Sequence, residues 1–151
     1  MKKCIPVFAY VIFRDPHTSP EILVVRRSAN DRYFPSLWGV PAGTLRKHEG
    51  YEDAIRRTAK HRFGVEVELL GERGAGSSDR GTHIVEMRLY EARIVAGSPQ
   101  IRQVDLAGHG YTEAQWGKPE MLQPAQERGS LCCRLVVEWL RTTTFTEQTT
   151  Q

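Results

Sequence analysis

Five basic side chains lie close together in one segment of the chain, and they are the first candidates for chemistry. They are Arg56, Arg57, Lys60, His61 and Arg62. Guanidinium and ammonium groups form charge-assisted hydrogen bonds with phosphate oxygens, and the same positive charge repels a metal cation. Histidine can also act as an acid or a base near neutral pH, which makes His61 a candidate catalytic residue. The segment therefore predicts direct binding of phosphate by the protein.

The wider segment from residue 37 to residue 65 reads LWGVPAGTLRKHEGYEDAIRRTAKHRFGV. It resembles the signature of the Nudix hydrolase family, Gx5Ex7REUxEExGU, where U is a bulky aliphatic residue and a Trp-x-x-Pro-x-Gly motif usually precedes. The residues that match at the required spacings are Trp38, Pro41, Gly43, Glu49, Arg57, Gly64 and Val65. The resemblance extends over roughly residues 5–141 and implies an α/β (α+β) fold, a Nudix-type α/β/α sandwich with a central mixed β-sheet.

The signature departs from the family pattern where metal ligands are expected. In the family, three glutamates on one helix face bind Mg²⁺ or Mn²⁺ beside the diphosphate, and here those positions hold Thr58, His61 and Arg62. Hard divalent cations require several carboxylate oxygens. We therefore predict no metal-ligating residues and no cofactor; Mg²⁺ or Mn²⁺ could still take part, but without its usual ligands.

The resemblance also implies which residues bind the substrate. Family members often place a phosphate-binding arginine at the end of the second strand, where this chain has Arg26 and Arg27. Alternation along a strand predicts that only one of the two faces inward. Arg57 and Arg62 are the other arginines predicted to bind the substrate. Trp38 is expected to pack in the core or the loop, although it could instead stack on a base.

Two carboxylates are further candidates for catalysis. Glu49 is the first glutamate of the signature, a position that in the family more often supports the loop through the signature arginine. We therefore favour a structural pair between Glu49 and Arg57. Glu86 lies on a predicted later strand, where some family members use an acidic residue as metal ligand or base. Cys132 and Cys133 have no metal-ligand spacing and are better interpreted as buried small residues than as nucleophiles.

The elements that would position these residues follow from the spacing of apolar residues. Residues 7–13 and 21–25 are predicted to form a β-hairpin. Residues 51–63 show the apolar spacing of an amphipathic helix, which Gly64 would end. Strands are predicted over residues 65–70 and 84–94, separated by a loop at the glycine-rich stretch 71–81. Ser130 is expected to cap a final helix.

Composition places these elements in one domain. The chain has 151 residues, 40% of them apolar and 26% charged, which is typical of a single globular domain. We predict one Nudix domain over residues 1–141 and a disordered, Thr- and Gln-rich tail over residues 142–151. Apolar stretches are too short to span a membrane, and no export signal is apparent. With three cysteines and no disulfide pattern, we expect a cytoplasmic protein.

Three functions remain open. The favoured one is a Nudix hydrolase-family enzyme acting on a nucleoside diphosphate linked to another moiety, with an atypical site that could be metal-independent. The alternative is a catalytically inactive Nudix-fold module that binds a nucleotide, another phosphorylated ligand or RNA. The third is a solvated basic helix face without chemistry. The expected partner is a small nucleotide or diphosphate; we expect no membrane and no nucleic acid, and a homodimer is compatible with the family.

Overall fold

A computed structural model describes residues 2–16, 18–101 and 110–143. Seven strands are present in the described ranges: β1 (Lys3–Ile12), β2 (Ile22–Arg27), β3 (Trp38–Gly39), β4 (Ala42–Thr44), β5 (Glu66–Asp79), β6 (His83–Ala96) and β7 (Tyr111–Gly117). The helices are α1 (Tyr51–Thr58), continued by a π-helical segment (Ala59–Phe63), a 3-10 turn (Pro119–Leu122), α2 (Gln123–Glu127) and α3 (Leu131–Leu140). The tail predicted to be disordered falls almost entirely outside these ranges, from residue 144 onward.

The strands form two sheets. The larger has the order β4-β1-β6-β5, and it is mixed because β1 runs parallel to β6 and antiparallel to β4. The smaller has the order β3-β2-β7 and is antiparallel. The mixed central sheet is the one predicted from the sequence.

The two faces of β1 organise the core into layers. Val7, Ala9 and Val11 pack into the apolar cluster that includes α3. The alternate side chains Phe8, Tyr10 and Ile12 pack into a second cluster that includes α1 and its π-helical continuation. Helices therefore cover both faces of the sheet, since successive side chains of a strand point to opposite sides. This confirms the predicted α/β/α sandwich.

The helix predicted over residues 51–63 is present, but its last part is not α-helical. Ala54 and Ile55 are buried in α1, and Ala59 and Phe63 are buried in the π-helical segment, so one apolar face runs through both. The segment ends at Gly64, whose φ of 72° lies in the left-handed region that glycine adopts readily. The wider π turn is the part of this region that apolar spacing did not indicate.

The predicted hairpin of β1 with β2 is wrong. The two strands belong to different sheets, and the structure joins them by an isolated bridge between Phe13 and Ile22. β1 instead pairs with β6 over ten residues. Local sequence could not show this pairing, because the partner of β1 lies about 80 residues further along the chain.

The loop predicted over residues 71–81 is also wrong, since β5 continues to Asp79 and pairs with β6 along its whole length. Register shifts between Leu69 and Gly71 and between Glu72 and Gly74 accommodate the irregular stretch. Packing against α3 explains why the strand has a glycine at position 76. A Cβ on Gly76 would lie 3.2 Å from a methyl carbon of Leu131 on α3. A small residue lets the helix approach the strand closely.

The final helix begins as predicted. The Ser130 hydroxyl accepts a hydrogen bond of 3.3 Å from the amide of Cys133, which caps the first turn of α3. Leu131 and Val136 are buried against the sheet, and the thiols of Cys132 and Cys133 are free and buried, as expected. Within the described ranges, none of the helices combines the length and the apolar character needed to cross a membrane.

Candidate active site

A cavity of about 370 Å³ lies beside β4, where the first residues of β6 meet the segment that follows β2. Three groups of residues line it. The sheet contributes an apolar wall, β4 contributes one side, and the segment after β2 with the β5–β6 turn contributes a cationic rim. The lining residues are Val7, Val85 and Met87; Ala42, Gly43 and Thr44; Arg27, Asp31, Arg32, Tyr33, Phe34, Arg80 and His83.

Of the two adjacent arginines, Arg27 is the one that lines the cavity. Its guanidinium lies 3.4 Å from the Asp31 carboxylate and 5.7 Å from the centre of the Phe34 ring. The Arg27 side chain is 21% exposed. Arg26 instead donates hydrogen bonds to the Ser36 carbonyl at 3.1 Å and to Glu113 at 3.0 Å. The alternation argument therefore predicts correctly that one arginine faces inward.

Asp31 organises the segment after β2. Its Oδ1 accepts hydrogen bonds from the amides of Tyr33 at 3.0 Å and Phe34 at 2.8 Å, while Oδ2 contacts Arg27. Burial opposes ionisation of this carboxyl, but the Phe34 amide and the Arg27 charge outweigh it, and the pKa of Asp31 is lowered. Asp31 is therefore an anion that fixes the loop and holds Arg27.

Arg62 stands where the family signature has a metal-binding glutamate, and it is tied to β4. Its Nη1 donates a hydrogen bond of 3.2 Å to the carbonyl of Ala42, and its guanidinium lies 5.2 Å from the centre of the Tyr111 ring. The Tyr111 hydroxyl donates to the same carbonyl at 3.2 Å and accepts from the Ala42 amide at 3.0 Å. The Arg62 guanidinium is thus fixed beside β4, which is one of the strands that line the cavity.

Thr58, a second position of the missing glutamates, faces the core. It is 3% exposed; its hydroxyl donates to the Ile55 carbonyl at 3.2 Å and shares a hydrogen bond of 3.1 Å with the Tyr10 hydroxyl. Tyr10 is fully buried, and this burial raises its pKa, so the phenol stays protonated. A threonine can be satisfied in this environment, whereas an ionised carboxylate would lose its hydration there.

The pair predicted between Glu49 and Arg57 is present. Arg57 donates two hydrogen bonds to the Glu49 carboxylate, at 2.7 Å and 2.9 Å, in the bidentate arrangement that favours arginine. The Arg46 amide donates a third at 2.9 Å. The bond from Arg57, followed by that from Arg46, lowers the pKa of Glu49 to about 2. A carboxylate this acidic is a weak proton acceptor.

None of the three predicted catalytic residues lines the cavity. Glu49 is held by Arg57 on the loop before α1, and His61 is exposed in the π-helical segment. Glu86 is exposed on the face of β6 opposite the cavity-lining residues Val85 and Met87. Trp38, expected to pack and also a candidate for stacking on a base, packs against the core cluster of α3 and is not among the cavity-lining residues.

The basic helix is less cationic than its sequence suggests. Arg56 pairs with Glu52 at 2.6 Å, and Lys60 pairs with Glu66 at 3.4 Å. Together with the Arg57 pair, these contacts leave Arg62 and His61 as the members of the group without an ion pair in the described part of the chain. The phosphate-binding surface predicted for this helix is therefore reduced to these two residues.

The sequence analysis assigned no role to five residues that line the cavity, namely Asp31, Arg32, Tyr33, Phe34 and Arg80. The Arg80 guanidinium lies 4.9 Å from the Tyr33 ring centre and 5.9 Å from that of Phe34, and Arg32 lies 5.3 Å from the Tyr33 ring. The adjacent aromatics after the Arg26-Arg27 pair were an available signal for the loop. The residues around Arg80 in the sequence gave no sign that it lies beside Tyr33 and Phe34. Its position depends on the pairing of β5 with β6, which places the turn between them.

A divalent ion does not fit the residues at the signature positions. Among the described residues, no group of three or more His, Cys, Asp or Glu side chains is arranged to hold a metal. Thr58 is engaged in the core, and the Ala42 carbonyl, an oxygen of the kind that binds hard cations, already receives the Arg62 guanidinium. At the signature positions this chain therefore has side chains that donate hydrogen bonds, whereas the family pattern has carboxylate oxygens.

Comparisons with solved structures place this architecture among known proteins. A Nudix hydrolase from Nitrosomonas europaea has a TM-score of 0.72 at 18% identity, covering 95% of this chain and 93% of that one. The MutT protein from Methanosarcina mazei Go1 has a TM-score of 0.70 at 18% identity, covering 93% and 95%. A UDP-X diphosphatase has a TM-score of 0.68 at 13% identity, covering 93% and 64%.

At these identities the structural likeness concerns the fold alone. A comparison with curated protein sequences gave no match. The sequence model of the NUDIX domain, in contrast, matches residues 5–135, which is most of the chain. This match agrees with the spaced signature, the mixed sheet and the two covering helix layers. The chain therefore belongs to the NUDIX domain family.

Proposed function

We propose that this protein hydrolyses a nucleoside diphosphate linked to a second moiety, and that its guanidinium groups bind the phosphates. The observation that carries the proposal is Arg27, a largely buried guanidinium held by Asp31 in the wall of the cavity. The NUDIX domain supports a hydrolase. A fold relative named as a UDP-X diphosphatase supports the substrate class.

The arrangement suits an anion that enters the cavity along β4. Arginine presents a planar fork of donors that matches two phosphate oxygens, and its charge does not depend on pH in the physiological range. Arg27 supplies one such fork from the wall of the cavity, and Arg62 supplies a second charge at the Ala42 carbonyl. Fixed positive charges of this kind stabilise the negative charge that develops on a leaving phosphate.

The reaction itself needs water and a proton acceptor. Water adds to one phosphorus, the bridging oxygen leaves with the other phosphoryl group, and the proton of water is taken up by a base. Of the three predicted catalytic residues, Glu49 is neutralised by Arg57, and neither Glu86 nor His61 lines the cavity. His61 is the preferred candidate, because it is exposed to solvent and neighbours Arg62, which contacts the cavity-lining residue Ala42.

One observation favours the second candidate, a module that binds such a ligand without turnover. Among the described residues that line the cavity, Asp31 is the one carboxylate, and its oxygens are occupied by two amides and Arg27. A binding module requires the anion site but no base. The two functions therefore share Arg27 and differ in whether a product forms.

The test combines binding with turnover. The purified protein is incubated with UDP-glucose, ADP-ribose and NAD, each with Mg²⁺, with Mn²⁺ and with chelator, while melting temperature and phosphate-containing products are recorded. A ligand that binds the folded protein raises the melting temperature by mass action. Product formation that survives the chelator is the expected result, and His61→Gln should then abolish it while the ligand still stabilises the protein.

Arg27→Ala and Arg26→Ala form the matched pair, since they remove the same group from adjacent positions. Loss of a charge-assisted phosphate contact should weaken binding about tenfold or more for Arg27→Ala. Arg26→Ala should stay within about twofold, because its contacts lie outside the cavity lining. Stabilisation without product would select the binding module. Equal effects of the two variants, or no response to any ligand, would remove the proposal.

A further inference from the structure

The rim of the cavity carries more positive charge than the diphosphate site alone explains. Arg27, Arg32 and Arg80 line the cavity, and Asp31 is the one acidic side chain among the described lining residues. Asp31 is paired with Arg27. Within the described ranges Arg32 and Arg80 lie within salt-bridge distance of no carboxylate, as is also true of the exposed residues Arg46 and Arg128. Two charges at the rim are therefore uncompensated.

These two arginines are held by aromatic rings instead of acids. The Arg80 guanidinium lies over Tyr33 and Phe34, at 4.9 Å and 5.9 Å from the ring centres, and Arg32 lies 5.3 Å from the centre of Tyr33. A guanidinium stacked on a ring keeps its N–H groups free at its edge, where an anion can accept them. The stacking thus orients the two cations without neutralising them.

The two cations belong to segments that are distant in sequence. Arg80 follows β5, and its amide donates a hydrogen bond of 2.8 Å to the His83 carbonyl, which fixes the tight β5–β6 turn. Arg32 belongs to the loop that Asp31 holds through two amide hydrogen bonds. Tyr33 lies between them, contacted by both guanidinium groups. The rim is therefore a built arrangement with fixed backbone supports on either side.

The inner wall of the cavity has the opposite character. Val7, Val85 and Met87 line it from the sheet, and Phe34, which is 6% exposed, closes one side. Apolar walls favour a planar or apolar body, while the rim favours negative charge. A ligand that fills the whole cavity would therefore combine such a body with an anionic group at the rim.

We propose that Arg32 and Arg80 form an anion clamp that recognises a negatively charged group on the substrate, separate from the diphosphate bound at Arg27. This inference rests on the proposed function, because it assigns a further specificity to the same cavity. It predicts that the preferred substrates carry an additional phosphate or carboxylate on the moiety that occupies the cavity. Neutral counterparts of the same size should bind less tightly.

Two matched ligand pairs test the clamp and separate its two sources of charge. Adenosine 3′,5′-bisphosphate and AMP differ by one phosphate, and UDP-glucuronate and UDP-glucose differ by one carboxylate. Binding is measured by calorimetry for the unsubstituted protein and for four variants, Arg80→Ala, Arg32→Ala, Arg27→Ala and Arg88→Ala. Arg88 is the control, because its guanidinium stacks on Tyr51 at 5.0 Å on the other face of β6.

The protein should bind the charged member of at least one pair about tenfold more tightly, as expected for one added charge-assisted contact. Arg80→Ala and Arg32→Ala should each reduce that preference, and Arg88→Ala should retain it. The pair that shows the preference identifies phosphate or carboxylate. If both members of each pair bind equally well and Arg27→Ala weakens both, the clamp is refuted while the proposed function stands. If no nucleotide binds, both proposals fail.

Discussion

Replacing His61 and Arg62 by glutamate should create a Mn²⁺ site beside the Ala42 carbonyl. These are two of the positions at which the Nudix signature has glutamates, and Arg62 now donates to that carbonyl at 3.2 Å. The double variant His61→Glu/Arg62→Glu removes the guanidinium and adds two carboxylates. Thr58 is left unchanged, because a glutamate there would be buried against Tyr10.

The size of the effect follows from the charges. A divalent ion that approached the Ala42 carbonyl would come within about 4 Å of the guanidinium, and at an effective dielectric constant of about 20 the repulsion is about 8 kcal/mol. That energy corresponds to roughly a millionfold in affinity. Removing the cation abolishes this repulsion, and carboxylate oxygens then attract the ion.

Thermal unfolding with and without about 1 mM Mn²⁺ measures the outcome. If the variant binds with a dissociation constant of about 0.1 mM, the ion stabilises it by about 1.4 kcal/mol, which raises the melting temperature by about 4 °C. Mn²⁺ should not change the melting temperature of the unsubstituted protein. The control His61→Gln/Arg62→Gln removes the cation without adding metal ligands, and its melting temperature should not change either. Equal stabilisation by Mn²⁺ with and without the substitutions would show that Arg62 does not exclude the metal.

Three further predictions concern stability. The pKa of Glu49 is lowered to about 2, so its contribution to the free energy of unfolding is complete above the ordinary glutamate pKa of about 4.3 and is lost as the pH falls toward 2. In Glu49→Gln the free energy of unfolding should therefore depend less on pH in that range. Tyr10→Phe removes the hydrogen bond to Thr58 and should lower the free energy of unfolding in urea by about 1 kcal/mol. No change would show that Thr58 is satisfied by its other bond. Gly43→Ala would place a Cβ 2.8 Å from the Phe8 ring and should cost about 1–3 kcal/mol, whereas an unchanged urea midpoint would show that the ring can move aside.

What the sequence predicts well is local. The signature spacing indicates the family, the apolar spacing of residues 51–63 indicates the helix, and Ser130 indicates its cap on α3. The pair of Glu49 with Arg57, which the resemblance to the family implies, also lies within one segment. Each of these depends on residues less than about one helix length apart, where backbone geometry fixes the distance between side chains.

What the sequence predicts poorly depends on pairing between distant strands. The glycines of residues 71–81 favour a loop in isolation, but pairing with β6 extends β5 to Asp79, and α3 approaches this strand closely at Gly76. The same pairing brings Arg80 to Tyr33, so the rim of the cavity could not be predicted either. Arg62 was predicted to bind substrate, but its contact with Ala42 requires β4 and the π-helical segment to meet.

The contact of Arg80 with Tyr33 and Phe34 also bears on the apparent affinity of a ligand. It joins two sides of the cavity by cation–π interactions, which at partly exposed sites contribute about 0.5–1 kcal/mol each. If these contacts alone held the two sides together, a total of about 1–2 kcal/mol would leave them apart in roughly a tenth of the molecules at equilibrium. A ligand that requires the separated form would lose about tenfold in apparent affinity. Separating these side chains would require no unfolding of either segment, because the backbone hydrogen bonds of the Asp31 loop and of the β5–β6 turn do not involve the rings.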